Sequence, residues 1–158
     1  MSIFKIYSGG QTGVDRAALD AAIEHGIPHG GWCPANRIAE DGRIDEKYQL
    51  QETSSKGYVQ RTKKNIEDSE ATLIIYNDSL KGGSLLTYNY AVEINKPVFL
   101  LDLSVEYNPG QINNWINDNS INLLNIAGPR ESQNKGIYLS AKRIIGKIIL
   151  DMNTSTNH

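Results

Sequence analysis

The sequence of 158 residues predicts a single-domain α/β fold, a three-layer sandwich in which helices cover both faces of a mostly parallel sheet. Two observations lead to this prediction: segments typical of strands alternate with segments typical of helices, and the strand segments are almost continuously apolar. A third is the repeated occurrence of glycine where a strand segment gives way to a helix. At this length, with 39% hydrophobic and 22% charged residues, we predict one domain over residues 1–152 and a flexible tail over residues 153–158.

Charge and cysteine content exclude several classes of function. The formal net charge of −2 gives no reason to expect a nucleic-acid partner. The single cysteine rules out an internal disulfide framework, and no apolar run approaches the roughly 18 residues that span a bilayer. The start of the chain lacks a signal-peptide pattern. We therefore expect a cytoplasmic protein that binds a small molecule and neither nucleic acid nor membrane.

The first predicted unit is a strand over residues 3–7, a glycine-containing turn and an alanine-rich helix over residues 17–23. Glycines lack a Cβ and let the backbone approach a ligand closely, and the N–H groups of a first helical turn attract anions. The turn lacks both the dinucleotide fingerprint and the P-loop lysine, which disfavours NAD enzymes and P-loop ATPases. It therefore predicts a phosphate site, with a plain turn capped by Thr12 as the alternative.

Residues 25–56 carry weaker patterns. His25 and His29 are typical of surface positions, and with Cys33 they make no convincing zinc set, so we predict no metal site. A short strand is predicted before Pro34. The polar stretch over residues 35–56 predicts a lid or an oligomer-forming hairpin around residues 41–42, with a solvated surface loop as the alternative.

The middle of the chain repeats the strand, turn and helix order. A helix over residues 57–68 is predicted to place Tyr58, Val59, Thr62 and Ile66 near one face and Arg61 and Asn65 on its polar side. The strongest strand signal follows over residues 71–76. A second glycine turn, over residues 77–84, then leads into a helix that extends to residue 93.

The last third supplies two more strands and two more helices. Residues 98–102 predict a buried strand, and a short helix after Pro109 carries Ile112, Trp115 and Ile116 on one face. A strand over residues 121–127 ends at a third turn, over residues 128–132. The final helix, over residues 135–152, has a broad apolar stripe.

All three turns follow the carboxyl ends of strands, where parallel sheets bind ligands, and we predict that they converge on one crevice. In this hypothesis backbone N–H groups of the first two turns hold a phosphate, arginines balance its charge, and amide and hydroxyl side chains add hydrogen bonds. The predicted binding residues are Gly9, Gly10, Gln11, Thr12, Gly13, Asp15, Arg16, Arg61, Gly82, Gly83, Ser84, Thr87 and Arg130. For Arg16 and Arg61 a structural ion pair is the alternative.

Residues 8–22, SGGQTGVDRAALDAA, resemble the signature of the molybdenum cofactor carrier family, and further matching segments follow in the same order along nearly the whole chain. They include GWCP at 31–34, AEDG at 39–42, RTKKN at 61–65, GGS at 82–84 and AGPRES at 127–132. The resemblance implies a Rossmann-like fold related to LOG and DprA-type nucleotide-binding proteins. It also implies a homo-oligomer, dimer or tetramer, with molybdenum cofactor, a pterin that carries a phosphate, as the ligand.

One departure from the LOG pattern bears on catalysis. LOG-type phosphoribohydrolases resemble this chain in plan, but their second loop reads PGGxGTxxE, whereas residues 82–90 here lack the second Gly-Thr and the glutamate. We therefore expect a binding and carrier protein with no catalytic residues. The alternative is a nucleotide- or ADP-ribose-processing enzyme that cleaves an N-glycosidic bond with Asp15 or Glu131 as general base.

Overall fold

A computed structural model describes residues 4–155 of the chain. In that range the helices are α1 (Val14–Glu24), α2 (Tyr58–Asp68), α3 (Gly82–Glu93), α4 (Pro109–Asp118) and α5 (Ile137–Ser155). The strands are β1 (Lys5–Tyr7), β2 (His29–Gly30), β3 (Trp32–Cys33), β4 (Ile38–Ala39), β5 (Gly42–Arg43), β6 (Gln51–Glu52), β7 (Ala71–Tyr76), β8 (Val98–Asp102) and β9 (Leu123–Ala127).

Five strands form a parallel sheet in the order β2, β1, β9, β7, β8. The last strand in the sequence, β9, therefore lies between β1 and β7. Helix α1 packs against α5 and α5 against α4 over one face of the sheet, while α2 packs against α3 over the other. The predicted three-layer α/β fold with a Rossmann-like sheet is confirmed.

The apolar stripe of α5 supplies much of the main core. The six predicted stripe residues are all buried: Ile137, Ala141, Ile144, Ile145, Ile148 and Ile149. They pack with α1, where alanines allow the close approach of the two helices, and with the apolar strands β1, β7 and β9. Helix α4 adds Ile112 and Ile116 to this cluster, as its sequence predicts.

The burial of α2 differs from what its apolar pattern would suggest, and the prediction that residues 98–102 form a buried strand was wrong. In α2, Tyr58 and Val59 are 42% and 45% exposed, whereas Arg61 and Asn65 are buried. This helix turns its polar side inward because a polar crevice, rather than apolar core, lies beneath it. Strand β8 lies at the edge of the sheet and is mostly half-buried, with only Leu101 fully covered.

The polar excursion over residues 35–56 is folded against the domain. Strands β4 and β5 form the predicted antiparallel hairpin, and β6 pairs in parallel with β3. Ile44 and Tyr48 pack with Leu19 and Cys33 in a second small core, so the excursion is not a fully solvated loop. Arg37 anchors the excursion: it is only 5% exposed and donates hydrogen bonds to the carbonyls of residues 44, 45, 48 and 50.

Two predictions concern membranes and the tail. None of the helices over residues 4–155 is long and apolar enough to cross a bilayer. Of the predicted tail, residues 153–155 continue α5, and residues 156–158 lie outside the described range.

Candidate functional site

The three glycine turns meet at the carboxyl edge of the sheet, around the ends of β1, β7 and β9. Two adjoining cavities lie between them. The inner compartment has a volume of about 50 Å³, and its lining includes Gly9, Arg61, Ser84, Asn125 and Gly128. The outer compartment, of about 110 Å³, is bordered by residues 82–84 and 128–130 together with Gln11, Tyr58, Arg61 and Gln133. The predicted crevice therefore exists, and Arg61 lies at the junction of its two parts.

A buried ion pair forms the floor of the inner compartment. Arg61 Nη1 donates a 2.9 Å hydrogen bond to Asp15 Oδ2, and both side chains are largely buried. The Nε of Arg61 is buried and has no hydrogen-bond partner among the described residues. Burial raises the pKa of Asp15, although the charge of Arg61 opposes this shift. Of the five N–H donors of the guanidinium, the protein uses one on Nη1 for Asp15, and the buried N–H on Nε is available to a ligand.

The first turn of α3 offers a second set of donors. Within residues 4–155, the N–H groups of Gly82, Gly83 and Ser84 make no hydrogen bond, and the preceding Lys81 provides no side-chain cap. These residues border the outer compartment, and Gly83 and Ser84 border both. The first N–H groups of a helix carry partial positive charge, so this end of α3 favours an anion.

In the first glycine turn, predicted as part of the phosphate site, three N–H groups already donate hydrogen bonds. The N–H of Gly10 donates to Ser8 Oγ, that of Gln11 to Asp15 Oδ2, and that of Thr12 to Gln11 Oε1. The sequence places glycine and a helix start here, but it does not show that neighbouring side chains already satisfy these donors. A ligand would have to break these bonds to use them.

Two glycines of the first turn allow close packing. Gly10 and Gly13 have φ angles of 81° and 80°, which L-residues with a Cβ seldom adopt. A Cβ on Gly10 would lie 2.7 Å from the Leu50 side chain, and one on Gly13 would lie 2.3 Å from the Pro129 carbonyl oxygen. These two positions let the excursion and the third turn close tightly over the first.

Arg16 and Thr12 lie outside the crevice and border a separate cavity of about 390 Å³. Arg16 pairs with Asp41 at 2.9 Å and also donates to the Gly10 carbonyl, which is the structural ion pair that the sequence left as an alternative. Thr12 does not cap α1, because Gly13 holds the cap position and no side chain bonds there. Its hydroxyl donates to Glu40 and accepts from the N–H of Glu131.

Glu40, from the hairpin, connects two of the turns. Besides the bond from Thr12, its carboxylate accepts hydrogen bonds from the N–H and hydroxyl groups of Ser132, and its own N–H donates to Gln11 Oε1. Burial is the largest single influence and opposes ionisation, but the hydrogen bonds from Ser132 and Thr12 together hold the pKa of Glu40 below its usual range. The hairpin therefore clamps the first turn to the third.

The remaining predicted binders lie at the crevice. Ser84 and Thr87 are buried in its inner wall, where the Thr87 hydroxyl donates to the Gly83 carbonyl at 2.8 Å. Arg130 borders the outer compartment. Glu131, the second candidate base, lies elsewhere: its carboxylate accepts from the N–H groups of Gly136 and Tyr138 and caps the start of α5.

Several residues that line the compartments were not among the predicted binders, including Asn125, Asn65 and Tyr58. Asn125 is a buried amide in the middle of β9 whose Nδ2 donates to Thr72 Oγ1 on the neighbouring strand. The sequence contains one signal for Asn125, namely that it is a polar residue within an otherwise apolar strand. Asn65 binds both the N–H and the carbonyl of Trp32, and Tyr58 begins α2 at the rim of the outer compartment. The sequence pattern placed Tyr58 on the apolar face of α2 and Asn65 on its polar side.

Residues 6–149 match the family model described as the circularly permutated YpsA SLOG family. The chain belongs to this family. A 1.45 Å crystal structure of a Syntrophus aciditrophicus protein named "Putative molybdenum carrier protein" is similar to this YpsA SLOG chain, with 48% identity and a TM-score of 0.89. The likeness covers 91% of this chain and 93% of that one, and it confirms the resemblance seen in the sequence. No curated protein matches.

Proposed function

We propose that this chain is a carrier protein that holds a phosphate-bearing small ligand in the crevice. The observation that carries the proposal is the meeting of two sets of unused donors, the N–H groups that begin α3 and the buried Nε of Arg61. Arginine and a helix N-terminus are both well suited to phosphate. Arg130 adds a further positive charge at the outer compartment.

The ligand we propose is the molybdenum cofactor, with a dimer or tetramer as the working assembly. Support comes from the name of the similar Syntrophus protein and from the chemistry of the crevice. The outer compartment is bordered by two arginines, two glutamines and no carboxylate, which suits an anionic ligand with polar ring edges. Phosphate on that ligand would lie against Arg61 and the start of α3.

An enzyme of the LOG-like class is the second candidate, favoured by one observation. Asp15 is the carboxylate that borders the inner compartment, and burial raises its pKa as a general base requires. Within residues 4–155, however, the carboxylate accepts its hydrogen bonds from Arg61 and from the Gln11 N–H at Oδ2, an arrangement that suits holding the arginine in place. We therefore place N-glycosidic cleavage second.

Native mass spectrometry of protein purified from cells that make molybdenum cofactor tests the proposal, because it reports bound mass and subunit number together. Calorimetric titration with ribose 5-phosphate then tests the anion site without the cofactor. We expect Arg61→Met to weaken this binding about tenfold or more, the effect of losing a charge-assisted hydrogen bond. Arg43→Met is the matched control, since Arg43 is exposed and pairs only with Glu46 in the described structure.

Two results would contradict the carrier proposal. Equal binding by the wild type and Arg61→Met would remove the anion site from the crevice. Release of free base from AMP by the wild type, abolished in Asp15→Asn, would make the protein an enzyme of the second class.

A further inference from the structure

We infer that the outer compartment is a subsite for a planar nitrogen heterocycle, which stacks on the ring of Tyr58 while the phosphate of the same ligand lies against Arg61. This inference rests on the proposed function and deepens it, because it assigns the two compartments to different parts of one ligand. The ligand class is an aromatic heterocycle that carries one phosphate.

The first support is the continuity of the two compartments. Arg61, Gly83 and Ser84 border both of them, so a group bound at these residues has the outer compartment directly beside it. The inner volume of about 50 Å³ suits a small group, and the outer one is about twice as large and reaches the surface at Tyr58. A ligand with a compact charged end and a wider flat end fits this order.

The second support is the state of the Tyr58 ring. Its Cδ2 and Cε2 edge faces Gly83, where a Cβ would be in ordinary contact at 3.8–3.9 Å. Among residues 4–155, no aromatic or cationic side chain lies over this ring, whereas two cationic side chains lie over the ring of Tyr48 and one over that of Tyr90. Tyr58 is also 42% exposed although it begins a helix at the crevice. The Tyr58 ring at the rim is thus partly exposed and has no aromatic or cationic partner among the described residues, and bases and related rings stack on such side chains.

The third support is the pair of amides that border the same compartment. Gln11 Oε1 already accepts from the N–H groups of Thr12 and Glu40, which leaves Nε2 of Gln11 as a donor. The side chain of Gln133 makes no hydrogen bond within the described residues. Ring nitrogens and ring carbonyls are the acceptors that such amides recognise. Guanine and pterin share these acceptors, so the crevice chemistry is common to both.

Calorimetry with a series of probes tests the subsite separately from the anion site. The probes are ribose 5-phosphate, GMP and neopterin monophosphate, of which only the last two carry a ring. The wild type is expected to bind a ring-bearing probe about tenfold more tightly than ribose 5-phosphate. Tyr58→Ala should abolish that advantage and leave ribose 5-phosphate unchanged, and Tyr58→Phe should keep it. Tyr107→Ala is the control, because Tyr107 is similarly exposed at 40% and borders neither compartment.

The outcomes separate the inference from the proposed function. If Arg61→Met weakens ribose 5-phosphate but Tyr58→Ala leaves the ring advantage intact, the stacking subsite is overturned while the anion site stands. If ribose 5-phosphate, GMP and neopterin monophosphate all fail to bind the wild type, the proposed function and the inference both fail. A ring advantage for GMP alone or for neopterin monophosphate alone supports the subsite and identifies which heterocycle it selects.

Discussion

The guanidinium of Arg61 occupies the space where a side chain at Gly9 would lie. A Cβ built on Gly9 would be 2.0 Å from Arg61 Nη1 and 3.0 Å from Asp15 Oδ2, so the glycine is what lets the buried pair form beneath the turn. Because Gly9 has no Cβ, the Arg61 guanidinium can lie at the crevice.

Gly9→Ala is expected to displace Arg61 and lower the free energy of unfolding by about 2 kcal/mol, the usual effect of overpacking a tight site. Ribose 5-phosphate binding should weaken with it. Urea unfolding and calorimetry measure the two effects. Gly57→Ala provides the control, because a Cβ there would meet only Ser55 Oγ at 3.5 Å. Unchanged stability and binding in Gly9→Ala would show that Arg61 has another way to reach Asp15.

Asp15→Asn tests the electrostatics of the pair through pH. Because folding raises the pKa of Asp15 above 3.8, its buried charge costs stability at neutral pH, and this cost disappears as pH falls from the folded pKa towards 3.8. The asparagine variant does not titrate there. We therefore expect wild type to gain stability relative to Asp15→Asn on acidification, measured by urea unfolding at pH 7 and pH 4. If wild type instead loses stability relative to Asp15→Asn between pH 7 and pH 4, Arg61 lowers the pKa of Asp15 more than burial raises it.

Glu40→Gln tests the clamp between the first and third turns. Folding lowers the pKa of Glu40 below 4.5, so its contribution is complete above about pH 4.5 and is lost as pH falls through the folded pKa. The glutamine variant should unfold at a lower temperature than wild type at pH 7, and the two should converge at acid pH. Glu46→Gln is the control, since Glu46 is exposed and pairs only with Arg43 in the described structure. Equal thermal unfolding at pH 7 would exclude the clamp.

Arg37→Ala is expected to be among the most damaging single changes in the excursion. Its guanidinium satisfies four carbonyl oxygens at 2.8–3.3 Å, and alanine would leave buried acceptors unpaired. We expect a loss of about 3 kcal/mol in urea unfolding. Arg43→Ala, which truncates a side chain that is 60% exposed, should change stability by less than about 0.5 kcal/mol. If the two variants lose the same stability, Arg37 is not the anchor.

The fold could be predicted because the spacing of apolar residues distinguishes strands from helices, and the glycines mark where one gives way to the other. The position of β9 between β1 and β7 did not, since parallel pairing depends on contacts far apart in the chain. The crevice was predicted for the same reason as the fold, namely that ligand sites lie at strand ends.

Individual roles within the crevice were harder to predict. Gly9 and Gly10 look alike in the sequence, yet one makes room for Arg61 and the other for Leu50. Arg16 and Arg61 were equal candidates, and only the packing of the hairpin against Arg16 separates them. The apolar pattern of α2 does not show which side of the helix is buried, because a helix over a polar crevice buries its polar side.

The central place of β9 has a consequence for how the protein assembles. Its neighbours β1 and β7 precede it by about 120 and 50 residues, so the middle of the sheet closes only after most of the chain has been synthesised. The turn after β9 also completes the crevice. Such long-range pairing slows folding. A nascent chain in which β9 has not yet been synthesised therefore lacks a complete ligand pocket.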